Sequence, residues 1–128
     1  MLFAFAQGSI LSAGERILIK GDDDQMKELI LSHYPIGTKL EHLLMDFPTR
    51  FIVFDASFDS KNGIFLPESE AKERGLSLPI GTQSLRIIVD KRYPKGLIPF
   101  VEELIVLFGF DQEGNLIDVQ TIHSIDAA

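Results

Sequence analysis

Two helix-start signals in tandem constrain this chain more than any other feature. In residues 21–48, Asp22 and Gln25 form one capping box, and Thr38 and Glu41 form a second. Met26, Leu29, Ile30 and His33 follow the first at i, i+3, i+4 and i+7, which puts an apolar stripe on one helix face. Leu40, Leu43, Leu44 and Phe47 do the same after the second. Tyr34-Pro35-Ile36-Gly37 cannot continue a helix, and Pro48 is expected to end the second one at Phe47. The acidic triplet Asp22–Asp24 complements the positive start of the first helix.

Most strongly apolar sequence outside this pair reads as strand. Residues 15–20 alternate enough for a short one, with Ile17 and Ile19 on one face. Residues 50–58 place Ile52, Phe54, Ala56 and Phe58 on one face, with Phe51 and Val53 on the other. In residues 84–93, Leu85, Ile87 and Val89 alternate with Arg86, Ile88, Asp90 and Arg92, and Pro94-Lys95-Gly96 breaks the pattern. Residues 103–110 are apolar on both faces, as a central strand requires. Asp111–Asn115 is a hairpin loop with Gly114 placed for positive φ, and residues 115–125 return as a strand. On that last strand Ile117, Val119 and Ile125 lie on one face, and Asp118, Gln120 and Ser124 on the other. Residues 59–83 are the least regular part: Asn62-Gly63 marks a turn, 67–74 suits one or two helical turns closed by Gly75, and the whole reads as a partly exposed excursion.

A chain of 128 residues fits one domain over residues 1–128, and ten Phe within a 45% apolar composition can fill its core. The 12 basic and 19 acidic side chains give a net charge of −7, which argues against nucleic acid or an anionic membrane as partner. From Leu97 to Ala128 there is no Lys or Arg, so Glu102, Glu103, Asp111, Glu113, Asp118 and Asp126 concentrate the acidity. The absence of Cys excludes disulfides and thiolate chemistry. No apolar run reaches the ~18–20 residues of a membrane-spanning helix. Ala4-Phe5-Ala6 fits a signal-peptidase site, so residues 1–13 read either as a signal remnant or as an edge strand.

Motifs that carry chemistry are sparse. His33, His42 and His123 sit on separate elements without metal-ligand spacing. Asp111-Gln112-Glu113-Gly114-Asn115 echoes a calcium loop, but its twelfth position is Ile122 rather than Glu, and strands flank it. Glu102 and Glu103 are neighbours on a strand and point to opposite faces. Asp90 and Asp118, on different strands, are the carboxylate pair that could converge in an enzyme. No nucleophile elbow, dinucleotide fingerprint or phosphate loop is present. A non-enzymatic protein without cofactor or metal is therefore expected.

Residues 22–48 resemble the helical opening of small bacterial envelope domains of the BamE/SmpA type, a fold shared with beta-lactamase-inhibitor protein. Pro35-Ile36-Gly37-Thr38 matches the family's Pro-x-Gly-Thr/Ser turn, and Phe108-Gly109-Phe110-Asp111-Gln112-Glu113-Gly114-Asn115-Leu116 matches its Phe-x-Phe-Asp-x-x-Gly-x-Leu strand pair. Together the elements cover residues 15–125. Family lipoproteins carry a lipidated Cys near the start, whereas this chain has none, and residues 59–83 look like an addition. The resemblance implies a helix pair on an antiparallel sheet whose other face is open to a protein partner, as in inhibitors and immunity proteins.

The expected fold is α+β: two short helices packed on one face of an antiparallel sheet of about four strands. Leu29, Ile30, Leu40, Leu43 and Leu44 should meet Ile52, Phe54, Leu85, Ile87, Val89, Ile117 and Val119. The expected function is an immunity protein or inhibitor that binds a basic bacterial toxin or effector through Glu102, Asp111, Glu113, Asp118 and Gln120. The alternatives are a structural domain of the bacterial cell envelope and a small enzyme using converging carboxylates. The expected location is the bacterial periplasm, or else the cytoplasm.

Overall fold

The computed structural model describes residues 23–93 and 100–127, with side chains through Ile125. The expected strand at 15–20, the edge strand or signal remnant at 1–13, Asp22 of the first capping box and the Pro94–Gly96 break lie outside the described residues. Helix α1 runs Asp23–His33 and α2 runs Leu40–Arg50. Strand β1 (Asp55–Asp59) follows, then the short helix α3 (Glu68–Glu73), then β2 (Gln83–Arg92), β3 (Phe100–Phe110) and β4 (Leu116–Ala127). The four strands form one antiparallel sheet in sequence order, so β3 is internal and, among the described residues, β4 is an edge of the sheet. The architecture is α+β, as the two periodicities imply.

The helices cover one face of the sheet, here termed the helix face. Register places Leu85, Ile87, Leu104, Val106, Phe108, Phe110 and Val119 on it. They pack with Met26, Ile30, Tyr34, Leu43, Phe47 and Phe51 in one buried cluster, and Leu29, Leu40 and Leu44 flank it. The connector between α1 and α2 is stitched to the β3–β4 hairpin: Gly37 N–H donates to the Leu116 carbonyl, Leu116 N–H to Thr38, and Leu40 N–H to Gly114.

Several local expectations are corrected. Lys39, rather than Thr38, occupies the cap of α2, with no side-chain cap bond. The Thr38 hydroxyl donates instead to the Pro35 carbonyl at 2.6 Å, and Lys39 pairs with Asn115, so the chain stays extended one residue longer. Pro48 does not end α2. It forgoes one backbone donor, but the last turn is held by Phe51 N–H to Phe47 (2.9 Å), the Thr49 hydroxyl to the Asp46 carbonyl (2.6 Å) and Arg50 Nε to Asp46 Oδ2 (2.7 Å). Strand β1 begins only at Asp55, and Phe54 is 41% exposed rather than in the core. A register shift at Gly109/Phe110 sets Leu116 opposite Phe110, so Leu116 is buried on the helix face and Ile117 is 39% exposed.

The larger correction concerns the second face, which the resemblance left open. Residues 64–82 cross it as a strap. Ile64 and Ile80 pair as a two-residue ladder, and Ile64, Leu66 and Ala71 pack with Ile88, Ile105 and Leu107 in a second buried cluster. Glycine at 109 permits this, because a Cβ there would sit 2.9 Å from the Ile80 carbonyl oxygen. The α3 turn ends at Gly75 as the sequence suggests. The excursion is thus a covering layer, which explains why β3 is apolar on both faces. Truncating Ile64 to Ala should cost about 2–5 kcal/mol, since it is 1% exposed and the strap has few other anchors. Denaturant unfolding followed by circular dichroism measures this.

A buried phenol locks the helix pair. Tyr34 is fully buried; its hydroxyl donates to Asp46 Oδ2 at 2.7 Å, and Arg50 binds the same oxygen. Burial pushes the phenol upward and the bond to Asp46 adds to the shift. Partial desolvation opposes ionisation of Asp46, but the bonds from Tyr34 and Arg50 hold its carboxyl below the usual range. Tyr34→Phe removes a hydrogen bond to a charged acceptor and should cost about 1.5–3 kcal/mol. Chemical denaturation near neutral pH reads it directly.

Candidate protein-binding site at the edge of the sheet

A polar recess opens at the outer edge of β4. Asp23, Asp24 and Lys27 of α1 form one wall, Arg74 and Leu76 after α3 form the other, and Gln120 and Thr121 of β4 form the floor. Its volume is about 500 Å³, within the range of small-ligand and side-chain pockets. The edge position follows from the fold: α1 packs on β4 from the helix face and the strap packs on the sheet from the other.

A chain of polar contacts crosses this edge. Lys27 Nζ lies 3.3 Å from Asp118 Oδ1, reaching round the strand. Gln120 Nε2 donates to Asp118 Oδ2 at 2.8 Å, and Arg74 Nη1 donates to Gln120 Oε1 at 3.0 Å. Arg74 Nη2 lies 3.6 Å from Glu70 Oε2. That Glu70 oxygen is shielded from water and accepts no hydrogen bond, so the Arg74 charge is what offsets its burial. At the start of α1, Asp23 Oδ1 lies 3.8 Å from His123 Nε2, an ion pair when the imidazole is protonated.

The five sequence-predicted partner-binding residues are not brought into one patch. Asp118 and Gln120 lie at the edge cleft, although Gln120 is only 6% exposed. Glu102 is opposite Ile125 at the other end of β3, nine residues from Asp111 and hence about 30 Å from the hairpin. Glu113 is exposed at the hairpin tip. Asp111 is engaged in its own turn: Oδ1 accepts from the Glu113 and Asn115 N–H groups at 3.0 and 2.8 Å, and Oδ2 accepts from Asn115 Nδ2 at 3.1 Å. Charge reversal at Asp111 would therefore break the hairpin as well as alter its charge.

Those bonds lower the Asp111 carboxyl below its ordinary value, the Asn115 N–H being the largest cause. A depressed carboxyl stabilises the fold above the unfolded-state value, about 3.9 for aspartate, and that contribution is lost as pH falls through the lower folded value. Amide exchange at Glu113 and Asn115 should therefore accelerate below about pH 4 in addition to its intrinsic trend. In Asp111→Asn that extra acid step should vanish.

Asp90 and Asp118 do not converge. A register shift after Ile88 sets Asp90 opposite Leu104 on the helix face, fully buried, where Lys91 N–H donates to its Oδ1 at 2.9 Å and Arg92 Nε lies 3.6 Å from Oδ2. Asp118 is opposite Gly109 on the strap face. Opposite faces and about 17 Å of strand separate the pair, so they cannot act on one substrate. The histidines are also dispersed: His33 packs edge-on against Phe51, His42 against Tyr34, and His123 faces Asp23. Among the described residues no group of three His, Asp or Glu could hold a metal ion, and no helix is long and apolar enough to cross a membrane.

Lys27 and Arg74 were not foreseeable as site residues. Lys27 looks like any solvent-face helix residue, and Arg74 sits in the aperiodic excursion. Only the fold of the strap brings them to the same edge. No protein-family model, curated protein or solved structure matches the chain.

Proposed function

We propose that this chain is a protein-binding inhibitor, an immunity protein that neutralises a basic bacterial toxin or effector. The observation that carries this reading is the edge cleft, whose lining includes the exposed carboxylates Asp23 and Asp24. Its lining cations, Lys27 and Arg74, lie beside further carboxylates, Asp118 and Glu70. With an overall charge of −7, this edge steers a cationic partner and raises its association rate. The resemblance of the helix pair and hairpin to BamE/SmpA and beta-lactamase-inhibitor protein supports a role in binding protein, and with it a periplasmic location. Docking centres on Asp23, Asp24 and Asp118.

The test is affinity capture from the source bacterium with the chain as bait, followed by kinetics on the purified pair. One stoichiometric basic partner whose activity the chain inhibits is expected. Asp24→Asn combined with Asp118→Asn should weaken binding at least tenfold at low salt, mainly through the association rate. Recovery of envelope-assembly components without inhibition of any activity would instead support the scaffold alternative.

A further inference from the structure

We infer that the relay Lys27–Asp118–Gln120–Arg74–Glu70 is a coupling device: it lets the state of the edge cleft control how firmly the strap, residues 64–82, covers the second face of the sheet. Three observations lead there. The relay is a polar connection between α1 on one face and α3 on the other, and Gln120 at its centre is spent on both sides, donating to Asp118 and accepting from Arg74. The strap's apolar cover is thin, since Phe65 is 59% exposed and Leu76, Leu78 and Ile80 are only half-buried. A groove of about 650 Å³ runs between α3 and Leu76–Leu78. Finally, Glu70 Oε2 is dehydrated with Arg74 as its compensation, so any group that draws Arg74 toward the cleft also destabilises α3.

The consequence is a local opening distinct from global unfolding. When the relay is intact, α3 is held by the bonds Ala71 N–H to Pro67, Arg74 N–H to Glu70 and Leu76 N–H to Ala71. When a charge in the cleft competes for Asp118 or Gln120, Arg74 loses its anchor, and the strap lifts from Ile88, Ile105 and Leu107. The ion pairs are partly solvated, with Lys27 37% and Arg74 27% exposed, so salt weakens the device. That a partner supplies the competing charge rests on the function proposed above; the coupling itself does not, and the experiment addresses the isolated protein.

Amide exchange by NMR on the full chain separates the possibilities. In Lys27→Met and in Gln120→Leu, the amides of Ala71, Arg74 and Leu76 should exchange at least tenfold faster, while those of Val106 and Phe108 in the central strand keep their wild-type rates. Raising salt from 0.05 to 0.5 M should speed the same three amides severalfold in the wild type and leave them nearly unchanged in Lys27→Met. Lys27 is a solvent-side residue, so that variant folds even if the loss of buried Gln120 impairs folding. Unchanged strap amides in Lys27→Met would overturn the inference. So would an acceleration spread evenly over strap and central strand, because that reports a change in global stability.

Discussion

Replacing Phe47 by Ala should destabilise the protein by about 3–5 kcal/mol, the range for removing a fully buried aromatic ring without refilling its space. Phe47 is 0% exposed. Its ring centroid lies 4.7 Å from Phe51, 5.8 Å from Tyr34 and, edge-on, 5.7 Å from Phe108 of β3. It is thus the ring through which α2 meets both the α1–α2 connector and the central strand. Aromatic pairs of this geometry contribute about 0.5–1.5 kcal/mol beyond the area they bury. A loss of that size is a large share of the ~5–15 kcal/mol that holds a domain folded. Equilibrium denaturation should show a lower midpoint with an unchanged slope. Phe47→Leu should recover more than half of the loss, since it restores most of the volume but not the ring contacts. A loss below about 1 kcal/mol in Phe47→Ala would mean that α2 does not pack on β3 as described.

Gly81→Ala should cost about 3 kcal/mol, from two additive sources. Gly81 has φ +81°, where an L side chain is strained by about 1–2 kcal/mol. A Cβ there would also sit 2.5 Å from the Phe110 carbonyl oxygen, which already accepts the Thr82 N–H at 2.9 Å. Neither group can yield without moving the start of β2 or the end of β3. The effect should not stop at stability. The strap enters the sheet through Gly81, so the amides of Ile64 and Ile80, which bond each other at 2.8 and 3.1 Å, should lose protection first. Ala at exposed Gly37 also meets the left-handed penalty, φ +97°, but no atom lies within 4 Å of its Cβ. Its cost should therefore be smaller by the clash alone, and comparing the two by thermal melts isolates that component.

The parts of the fold that were legible in the sequence are those set by local chemistry or by a long periodic pattern. Leu85, Ile87 and Val89 alternate over a strand long enough to fix their face, and Met26 and Ile30 repeat at helical spacing. The apolar run around Val106 could be buried on both sides only by a second layer, yet nothing in residues 59–83 announced that layer. Ile64, Leu66 and Ala71 are spread through turns with no shared period, because a strap takes its conformation from the sheet beneath it. Leu116 replaced Ile117 in the core, and Asp90 turned inward, for one reason: register shifts reverse the faces of a strand and leave no mark on its composition.

The candidate site was legible only by half. An acidic last quarter was visible, and Asp118 and Gln120 lie on the strand that is an edge among the described residues. Asp111 is acidic for the sake of its own turn, which its spacing to Gly114 and Asn115 also encodes. Sequence distance could not show that Glu102 lies about 30 Å from the hairpin, nor that Arg74 would cross the sheet to reach Gln120.

The central claim, that a basic protein docks at the edge of β4, is tested most directly by site-specific photocrosslinking in the source organism. A photoreactive phenylalanine would be placed at position 24 on the cleft wall, at 113 on the hairpin tip and at 45, where Met45 is 78% exposed on the outer side of α2. One basic protein crosslinked strongly from position 24, weakly from 113 and not from 45 is the predicted result. A partner crosslinked from position 45 but not from 24 would place the binding surface on the helices and contradict the claim.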